Sequence, residues 1–413
     1  MFNIAKEFAP PFKLIVPYFI MGMIFYALCM GTLFLFDAAS LTYEHIYIKA
    51  WVHLFLVGFV IFIIVGAMAQ LIPVVLEIGH YHVELFYVIF PFLVLGLVFL
   101  LSGFIADPTM LPYGGVLLLL AFGLYLFNLL MTLKEVKKLT LVVKSVAVAN
   151  AFLAIGLIFG LLMALNYAGI IVIDMSAFLK AHVYLLICGY ITLTVMGISL
   201  VLVPMFGLSH GFNDQSIVLS IYLLATSVVI VVVASIFELS FFEYFGYFTT
   251  VVAYVLYVYQ IAIIYKNRAR KESDIWAKSM IFAFVMLVIS LGFIVAYFIK
   301  PNQAYLLVSG FLFFVGFLGF IITAHLYKIV PFLVWFHRFS PLVGKQKVPM
   351  MADMVPKKSA HYQFVFSTFG TLLCAVALLF GQDVMLKMGA SFLVVGTMFL
   401  LGSLYYMLSF KGK

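Results

Sequence analysis

The chain has 413 residues, of which 67% are hydrophobic and only 9% carry a formal charge. Its mean hydropathy of +1.25 lies far above the range of a soluble globular domain. This composition excludes a soluble enzyme, and we expect a polytopic membrane protein.

Apolar runs long enough to cross a bilayer, which takes about 20 residues in a helix, recur along the whole chain. Because they follow one another closely, they predict an all-α membrane protein with twelve transmembrane helices. The predicted spans are 14–36, 49–76, 84–105, 111–133, 139–168, 176–206, 215–238, 243–265, 278–299, 303–335, 362–381 and 387–409.

The chain has a formal net charge of +8, and its basic residues are distributed unevenly between the two predicted sides of the membrane. Sixteen of the 23 Lys and Arg residues, among them Lys6 and Lys413, lie in the even-numbered loops and the two tails, whereas four lie in the odd-numbered loops. The positive-inside rule therefore predicts that both termini are cytoplasmic. We expect a multi-pass protein of the bacterial inner (cytoplasmic) membrane, with membrane lipid as a partner and no nucleic-acid partner.

Three predicted spans carry one spacing of small residues, which we call the glycine ruler. It comprises Gly58, Gly66 and Pro73 in the second span, Gly189, Gly197 and Pro204 in the sixth, and Gly316, Ala324 and Pro331 in the tenth. Because the glycine ruler recurs after every four helices, it predicts an internal repeat. We expect one transmembrane domain, 1–413, built from units at about 14–133, 139–265 and 278–409 in a pseudo-threefold ring, with the small residues allowing close helix contact.

Each of these three spans also contains a histidine, and an ionisable group within the membrane is a candidate functional residue. His53 and His182 lie about 30 Å of helix before the ruler prolines, whereas His325 lies only about 9 Å before its own. These histidines therefore cannot all bind one metal ion. If the rulers superpose, His53 and His182 also point about 160° apart around the helix axis.

We select His53, His182 and His325 as candidate cofactor ligands. A neutral imidazole is a common axial ligand of haem iron, and its second ring nitrogen then bonds to a neighbouring group. The alternative for His53 is a residue at the membrane interface that bonds to a lipid headgroup or a tyrosine, and for His182 a residue at the outer edge beside Lys180. His325 lies near the aromatic and basic run Trp335-Phe-His-Arg338, which is typical of an anchor at the membrane interface.

A short loop contributes a second, weaker candidate site. His80 and His82 are two residues apart between Glu77 and Glu84, and histidine and carboxylate groups suit first-row transition metals. The sequence thus predicts a surface metal site at His80 and His82, although solvated loop residues would give the same pattern.

Two of the ruler segments resemble helices of a known family. The segment from His53 to Pro73, His53-Leu-Phe-Leu-Val-Gly through Gln-Leu-Ile-Pro73, resembles the low-spin-haem helix of the catalytic subunit of haem-copper oxidases and nitric oxide reductases. His182-Val-Tyr184 is similar to the start of that subunit's sixth helix, which supplies a copper ligand there. The resemblance implies twelve helices, threefold internal repetition, and haem b as the cofactor, with copper as the other metal that these ligands would accept.

The chain departs from this family at the oxygen-reducing centre. The family has a His-x-His early in its tenth helix and a His-His pair at its seventh, where this chain has Tyr305-Leu-Leu-Val-Ser309 and Ser216-Ile-Val-Leu-Ser220. The chain is therefore more similar to divergent members such as the NnrS proteins, which are associated with nitric oxide metabolism. Ala181-His182 and Thr192-Leu-Thr-Val-Met196 resemble the corresponding NnrS helix.

These observations predict a haem-binding relative of haem-copper oxidase subunit I that is not a classical terminal oxidase. We expect a role in electron transfer, nitric oxide response or respiratory-complex assembly, with other membrane redox subunits as partners. The competing hypothesis is a twelve-helix transporter without a redox cofactor, which would use Pro73, Pro204 and Pro331 as gates. A cofactor-free assembly subunit is a third hypothesis.

Overall fold

The computed structural model describes residues 8–412, so that Lys6 and Lys413 lie outside the described residues. Within them the chain forms twelve helices that are long and apolar enough to cross a membrane. The helices are α1 (Phe12–Leu35), α2 (Ile46–Leu76), α3 (Leu85–Ile105), α4 (Pro108–Lys134), α5 (Leu141–Tyr167), α6 (Met175–Gly207), α7 (Gln215–Ile236), α8 (Ser240–Lys266), α9 (Ile275–Ile299), α10 (Gln303–Leu342), α11 (Lys357–Phe380) and α12 (Asp383–Ser409).

The twelve predicted spans are confirmed, and each coincides with one of these helices. The largest differences occur where a polar turn extends an apolar helix. Helix α11 begins at Lys357, five residues before the predicted span, because its first turn is polar and therefore invisible to hydropathy. Helix α10 continues to Leu342 through the aromatic and basic residues after Val334.

Polar side chains fix the start of several helices by accepting a backbone N–H that has no partner within the helix. Asp174 accepts from Ser176 and Ala177 at the start of α6, and Asp274 accepts from Ala277 at the start of α9. These caps are useful in a membrane protein because unbonded backbone groups are costly close to lipid.

The chain divides into two compact units. Among the described residues, the first comprises Met68–Lys271 with 8–10, and the second comprises Pro11–Ala67 with 272–412. Helix α2 contributes residues to both units.

The ruler glycines bring α2, α6 and α10 against the helix that precedes each of them. A Cβ atom at Gly66 would lie 2.8 Å from Cβ of Tyr18 in α1, and one at Gly316 would lie 2.8 Å from Cβ of Met286 in α9. A Cβ atom at Gly197 would lie closer still to the Ser145 hydroxyl of α5. Glycine is required at these positions because any side chain would separate the two backbones.

The same three helices share a second feature, a π-helical segment in which the backbone hydrogen bonds span five residues instead of four. These segments are Leu54–Ile61 in α2, Tyr184–Thr192 in α6 and Leu312–Gly319 in α10. Each ends twelve residues before its ruler proline, and that proline lies inside the same helix. π-Helical segments are rare and often mark functional positions. Their common register supports the internal repeat that the glycine ruler predicts.

We predict that Gly66→Ala lowers the stability of the protein. The added methyl group overlaps Tyr18, and overpacking of this kind costs about 1–3 kcal/mol. Thermal unfolding in detergent should show a lower midpoint for Gly66→Ala. Gly292→Ala in α9 is the matched control, because no neighbouring atom lies within 4 Å of the position of its Cβ. Equal midpoints for both variants would contradict the close contact between α1 and α2.

Candidate functional site

His53 ends the first α-helical part of α2, directly before the π-helical segment. Its Nδ1 lies 2.7 Å from the carbonyl oxygen of Lys49, one turn earlier in the same helix. A carbonyl can only accept, so Nδ1 carries the proton and donates it to Lys49. In the neutral imidazole Nε2 then holds the lone pair, which is the tautomer required of an iron or copper ligand through Nε2.

Aromatic side chains beside His53 join α2 to α10 within the second unit. Trp51 stacks on Phe55 with ring centroids 5.6 Å apart and on Phe311 at 6.3 Å, and Phe55 lies 5.8 Å from Phe314. The indole N–H of Trp51 donates to the carbonyl of Cys29 in α1 at 3.1 Å. These contacts surround the start of α2 with apolar rings and fix it against both neighbours.

Ser309 occupies the place in α10 that corresponds to His182 in the glycine ruler. It is buried, and its hydroxyl donates to the carbonyl of Ser290 in α9 at 3.0 Å, while the Ser290 hydroxyl donates back to the Ser309 carbonyl at 2.9 Å. This reciprocal pair fastens α10 to α9. At this level α10 therefore contributes an interhelical hydrogen bond and no imidazole.

His182 lies in the first turns of α6, two residues before the π-helical segment. Its Nδ1 donates to the carbonyl of Gly156 in α5 at 2.8 Å. The ring rests over Gly160, one turn further along α5, where a Cβ atom would lie 2.8 Å from Cε1 of the imidazole. Gly160 thus forms a shallow seat for the imidazole, whereas the space at Gly156 is filled by Leu186. The two glycines follow the small-xxx-small spacing that brings membrane helices together.

We predict that Gly160→Ala displaces the His182 ring and destabilises the contact between α5 and α6. The loss should be about 1–3 kcal/mol, and it should disappear when His182 is already replaced by Ala, because only touching residues couple in this way. Thermal unfolding of Gly160→Ala, His182→Ala and the double variant measures this coupling.

Gly123→Ala in α4 serves as the control, since no atom lies within 4 Å of its Cβ position. Additive losses in the double variant would show that the imidazole does not occupy the glycine seat.

His325 is buried in the second half of α10. Its Nδ1 donates to the carbonyl of Ile321 at 2.7 Å, and its ring meets the edge of Trp276 in α9 with centroids 6.3 Å apart. One turn later Lys328 forms an ion pair with Asp274 at 2.6 Å. The ion pair joins α10 to the start of α9, where Asp274 also caps the helix.

The structure gives the three membrane histidines one tautomer, and within the second unit it separates His53 from His325. All three donate Nδ1–H to a backbone carbonyl. His53 and His325 belong to one unit and His182 to the other. The π-helical segments of α2 and α10 contact each other, so His53, at the start of one, and His325, six residues past the end of the other, lie about 20 Å apart along the helices. Within residues 8–412, no group of three or more His, Cys, Asp or Glu side chains is placed to hold a metal ion.

His80 in the predicted loop metal site makes a specific contact with α2. Its Nε2 donates to the carbonyl of Ala69 at 2.7 Å. Ala69 lies four residues before Pro73, and because proline has no N–H, its carbonyl lacks the usual helical donor. The imidazole of His80 supplies the missing donor, so that α2 can continue past Pro73.

The two residues after His80 are held on α4. The backbone N–H of Tyr81 donates to the Thr132 hydroxyl at 3.0 Å, and that of His82 donates to the Asn128 side chain at 2.9 Å. The side chain of His82 is exposed. The loop thus links the end of α2 to α4, and a metal site at His80 and His82 remains a prediction.

Burial lowers the pKa of His80, and its hydrogen bond to the Ala69 carbonyl offsets this shift in part. The unfolded chain then binds a proton more readily than the folded protein near pH 6.5, so the contribution of His80 to stability is present above this pH and is lost as the pH falls. We predict that the wild-type unfolding midpoint decreases between pH 7.5 and 5. His80→Gln, which keeps an N–H donor, should reduce this decrease.

At pH 7.5 His80→Ala should cost about 1–3 kcal/mol, since it leaves the Ala69 carbonyl without a donor. A smaller loss for His80→Gln than for His80→Ala would identify the hydrogen bond as the cause. Unchanged midpoints in both variants would exclude it.

A stripe of polar residues along one face of α8, which the sequence analysis did not single out, connects α8 to α6 and α7. The stripe comprises Glu243, Tyr247, Thr250, Tyr254, Tyr257 and Gln260. The Tyr254 hydroxyl lies 2.9 Å from that of Thr192, and the Tyr257 hydroxyl lies 2.8 Å from that of Ser199. The regular intervals of three and four residues are the signal that would have revealed this face.

The ends of the stripe are fastened as well. Glu243 forms an ion pair with Lys180 of α6 at 2.8 Å, and the Gln260 amide donates to the carbonyl of Asn213 at 2.8 Å. Polar groups buried in an apolar bundle stabilise helix association when they are bonded to one another. The stripe therefore holds the helix that carries His182 in place along most of its length.

No protein-family model fits the chain, and no curated protein is significantly similar to it. The resemblance to haem-copper oxidase subunit I therefore depends on the topology and on the residues of α2 and α6.

Proposed function

We propose that the chain is a haem-binding integral membrane protein of the haem-copper oxidase subunit I type, with His53 as an axial ligand of a b-type haem. The observation that carries the proposal is the hydrogen bond from Nδ1 of His53 to the Lys49 carbonyl. It holds the ring in one orientation and leaves the lone pair on Nε2, as metal-bound histidines require. A bound haem would supply one-electron redox chemistry and a site for a diatomic ligand.

The residues beside His53 fit a haem in their chemistry. Trp51, Phe55 and Phe314 are buried and provide an apolar aromatic surrounding of the kind that lines haem pockets. Because α10 has Phe311 at the place of His53 and Ser309 at the place of His182, His53 is the one imidazole that we assign to this haem. His182 and His325 have the same tautomer and are candidate ligands of separate groups, for which copper is the alternative to haem iron.

The proposal includes the architecture of this subunit type: three four-helix units in a pseudo-threefold ring, cytoplasmic termini, and a location in the bacterial inner membrane. The common register of the π-helical segments and the contacts of the ruler glycines support the repeat. The asymmetry of Lys and Arg supports the orientation.

We assign the chain to electron transfer, nitric oxide handling or assembly of a respiratory complex, with membrane redox subunits as partners. Oxygen reduction is disfavoured because the starts of α7 and α10 have serines where the oxidase family has its metal-binding histidines. The transporter hypothesis is disfavoured because Pro73, Pro204 and Pro331 all lie inside helices that continue past them. Transporters that bind substrate at the membrane midplane typically do so at discontinuous helices.

The optical spectrum of the purified protein tests this proposal. We expect a reduced-minus-oxidised α-band of a b-type haem that His53→Ala abolishes, since the variant removes the axial nitrogen. His45→Asn is the matched control: His45 caps the same helix eight residues earlier, and Asn keeps the cap. Its α-band should equal that of the wild type.

A colourless wild-type preparation without iron or copper would refute the haem assignment. If such a preparation co-purified with oxidase subunits, the assembly role without a cofactor would replace it. His182→Ala and His325→Ala measured in parallel show whether either histidine holds a further metal.

A further inference from the structure

The segment between α10 and α11, Val343–Pro356, combines exposed apolar side chains with lysines, and we call it the methionine loop. Met350 is 74% exposed, Val343 53% and Met351 46%. The exposed lysines Lys345 and Lys347 lie within the loop. Only Lys345, Gln346, Lys347 and Asp353 are polar in this loop. Exposure of its methionines to water is unfavourable.

The backbone of the loop is fixed so that these methionines point away from the protein. The indole N–H of Trp335 donates to the carbonyl of Pro349 at 2.9 Å, and Met354 is fully buried. Between these two fixed points the Asp353 carboxylate accepts the backbone N–H of Met350 at 3.0 Å and so closes a single helical turn. Met350 caps this turn and Met351 is its first residue, and both side chains are exposed.

The same contacts return the loop toward the membrane-spanning part of α10. Trp335 lies more than one helical turn before α10 ends at Leu342. Since the Pro349 carbonyl is bonded to this tryptophan, Met350 follows at the depth of Trp335 and not beyond the end of the helix. Tryptophan is enriched at the boundary between lipid tails and headgroups, which places the two methionines at this boundary as well.

Positive charge surrounds the loop. Lys357 and Lys358 continue it into the first turn of α11, and the one carboxylate of the loop, Asp353, is bonded to the backbone. Arg338 donates to the carbonyl of Phe410, which brings the exposed Lys411 to the same surface. Such a surface attracts anionic headgroups.

We propose that the methionine loop is an anionic-lipid site, in which Met350 and Met351 enter the membrane interface while the lysines bind the phosphate groups of acidic phospholipids. The combination of inserted apolar side chains with flanking basic residues is what gives peripheral segments their affinity for acidic membranes. The site is independent of any haem.

Site-specific fluorescence quenching in vesicles tests the proposal. The native Cys29, Cys188 and Cys374 are buried, so bimane would label an introduced Met350→Cys selectively. The labelled protein is reconstituted into phosphatidylcholine vesicles that contain chain-brominated phosphatidylglycerol or chain-brominated phosphatidylcholine. We expect the fluorescence of bimane at position 350 to be quenched at least about threefold more than that of bimane on Ser273→Cys. Ser273 lies in an exposed polar loop next to the start of α9.

Quenching at position 350 should also be stronger with brominated phosphatidylglycerol, and replacing Lys345, Lys347, Lys357 and Lys358 by Gln should remove this preference. Met351→Cys provides a second labelled position if the first variant is unstable. Quenching no greater than at Ser273→Cys would overturn the proposal, as would equal quenching by both lipids. A label that is protected in native membranes but unquenched in vesicles would indicate a protein partner and would also overturn it.

Discussion

The candidate site depends on hydrogen bonds that histidine side chains donate to backbone carbonyls. His53, His182 and His325 each donate Nδ1–H to a main-chain oxygen, and His80 donates Nε2–H. In an apolar surrounding an unbonded donor or acceptor is costly, so these bonds decide which ring nitrogen keeps its lone pair. Structure and candidate chemistry are thus linked through one hydrogen bond per imidazole.

His80 shows that such a bond can have a wholly structural purpose. Pro73 removes one donor from α2, and the loop returns an imidazole to the carbonyl that loses it. His182 has a comparable role in part, since it donates to the Gly156 carbonyl and its ring fills the seat at Gly160. His53 and His325 each bond a carbonyl within their own turn. His53 is the preferred cofactor ligand because of the aromatic rings of Trp51, Phe55 and Phe314 beside it.

Helices α2, α6 and α10 share features of backbone geometry although their side chains differ. Gly66 and Gly197 permit contact with the preceding helix at one ruler position, and Gly316 permits it at the other. The π-helical segments keep one register relative to the prolines although the residues within them differ. Backbone geometry is therefore conserved among the three helices, whereas hydrogen bonds such as Ser290 with Ser309 and Tyr254 with Thr192 are particular to each.

The sequence alone determined the twelve helices and the helix contacts at the ruler glycines, because hydropathy and the absence of a side chain act locally and are visible residue by residue. It also identified His53, His182 and His325 as groups that need partners within the membrane. Only the tertiary structure decided what those partners are: Gly156 lies 26 residues from His182, and Ala69 reaches His80 across a turn. The polar face of α8 and the outward turn at Met350 likewise depend on contacts with distant residues such as Thr192 and Trp335. Hydrogen bonds of this kind join residues that are remote in sequence. The local sequence pattern does not show which carbonyl or hydroxyl will lie beside a given side chain.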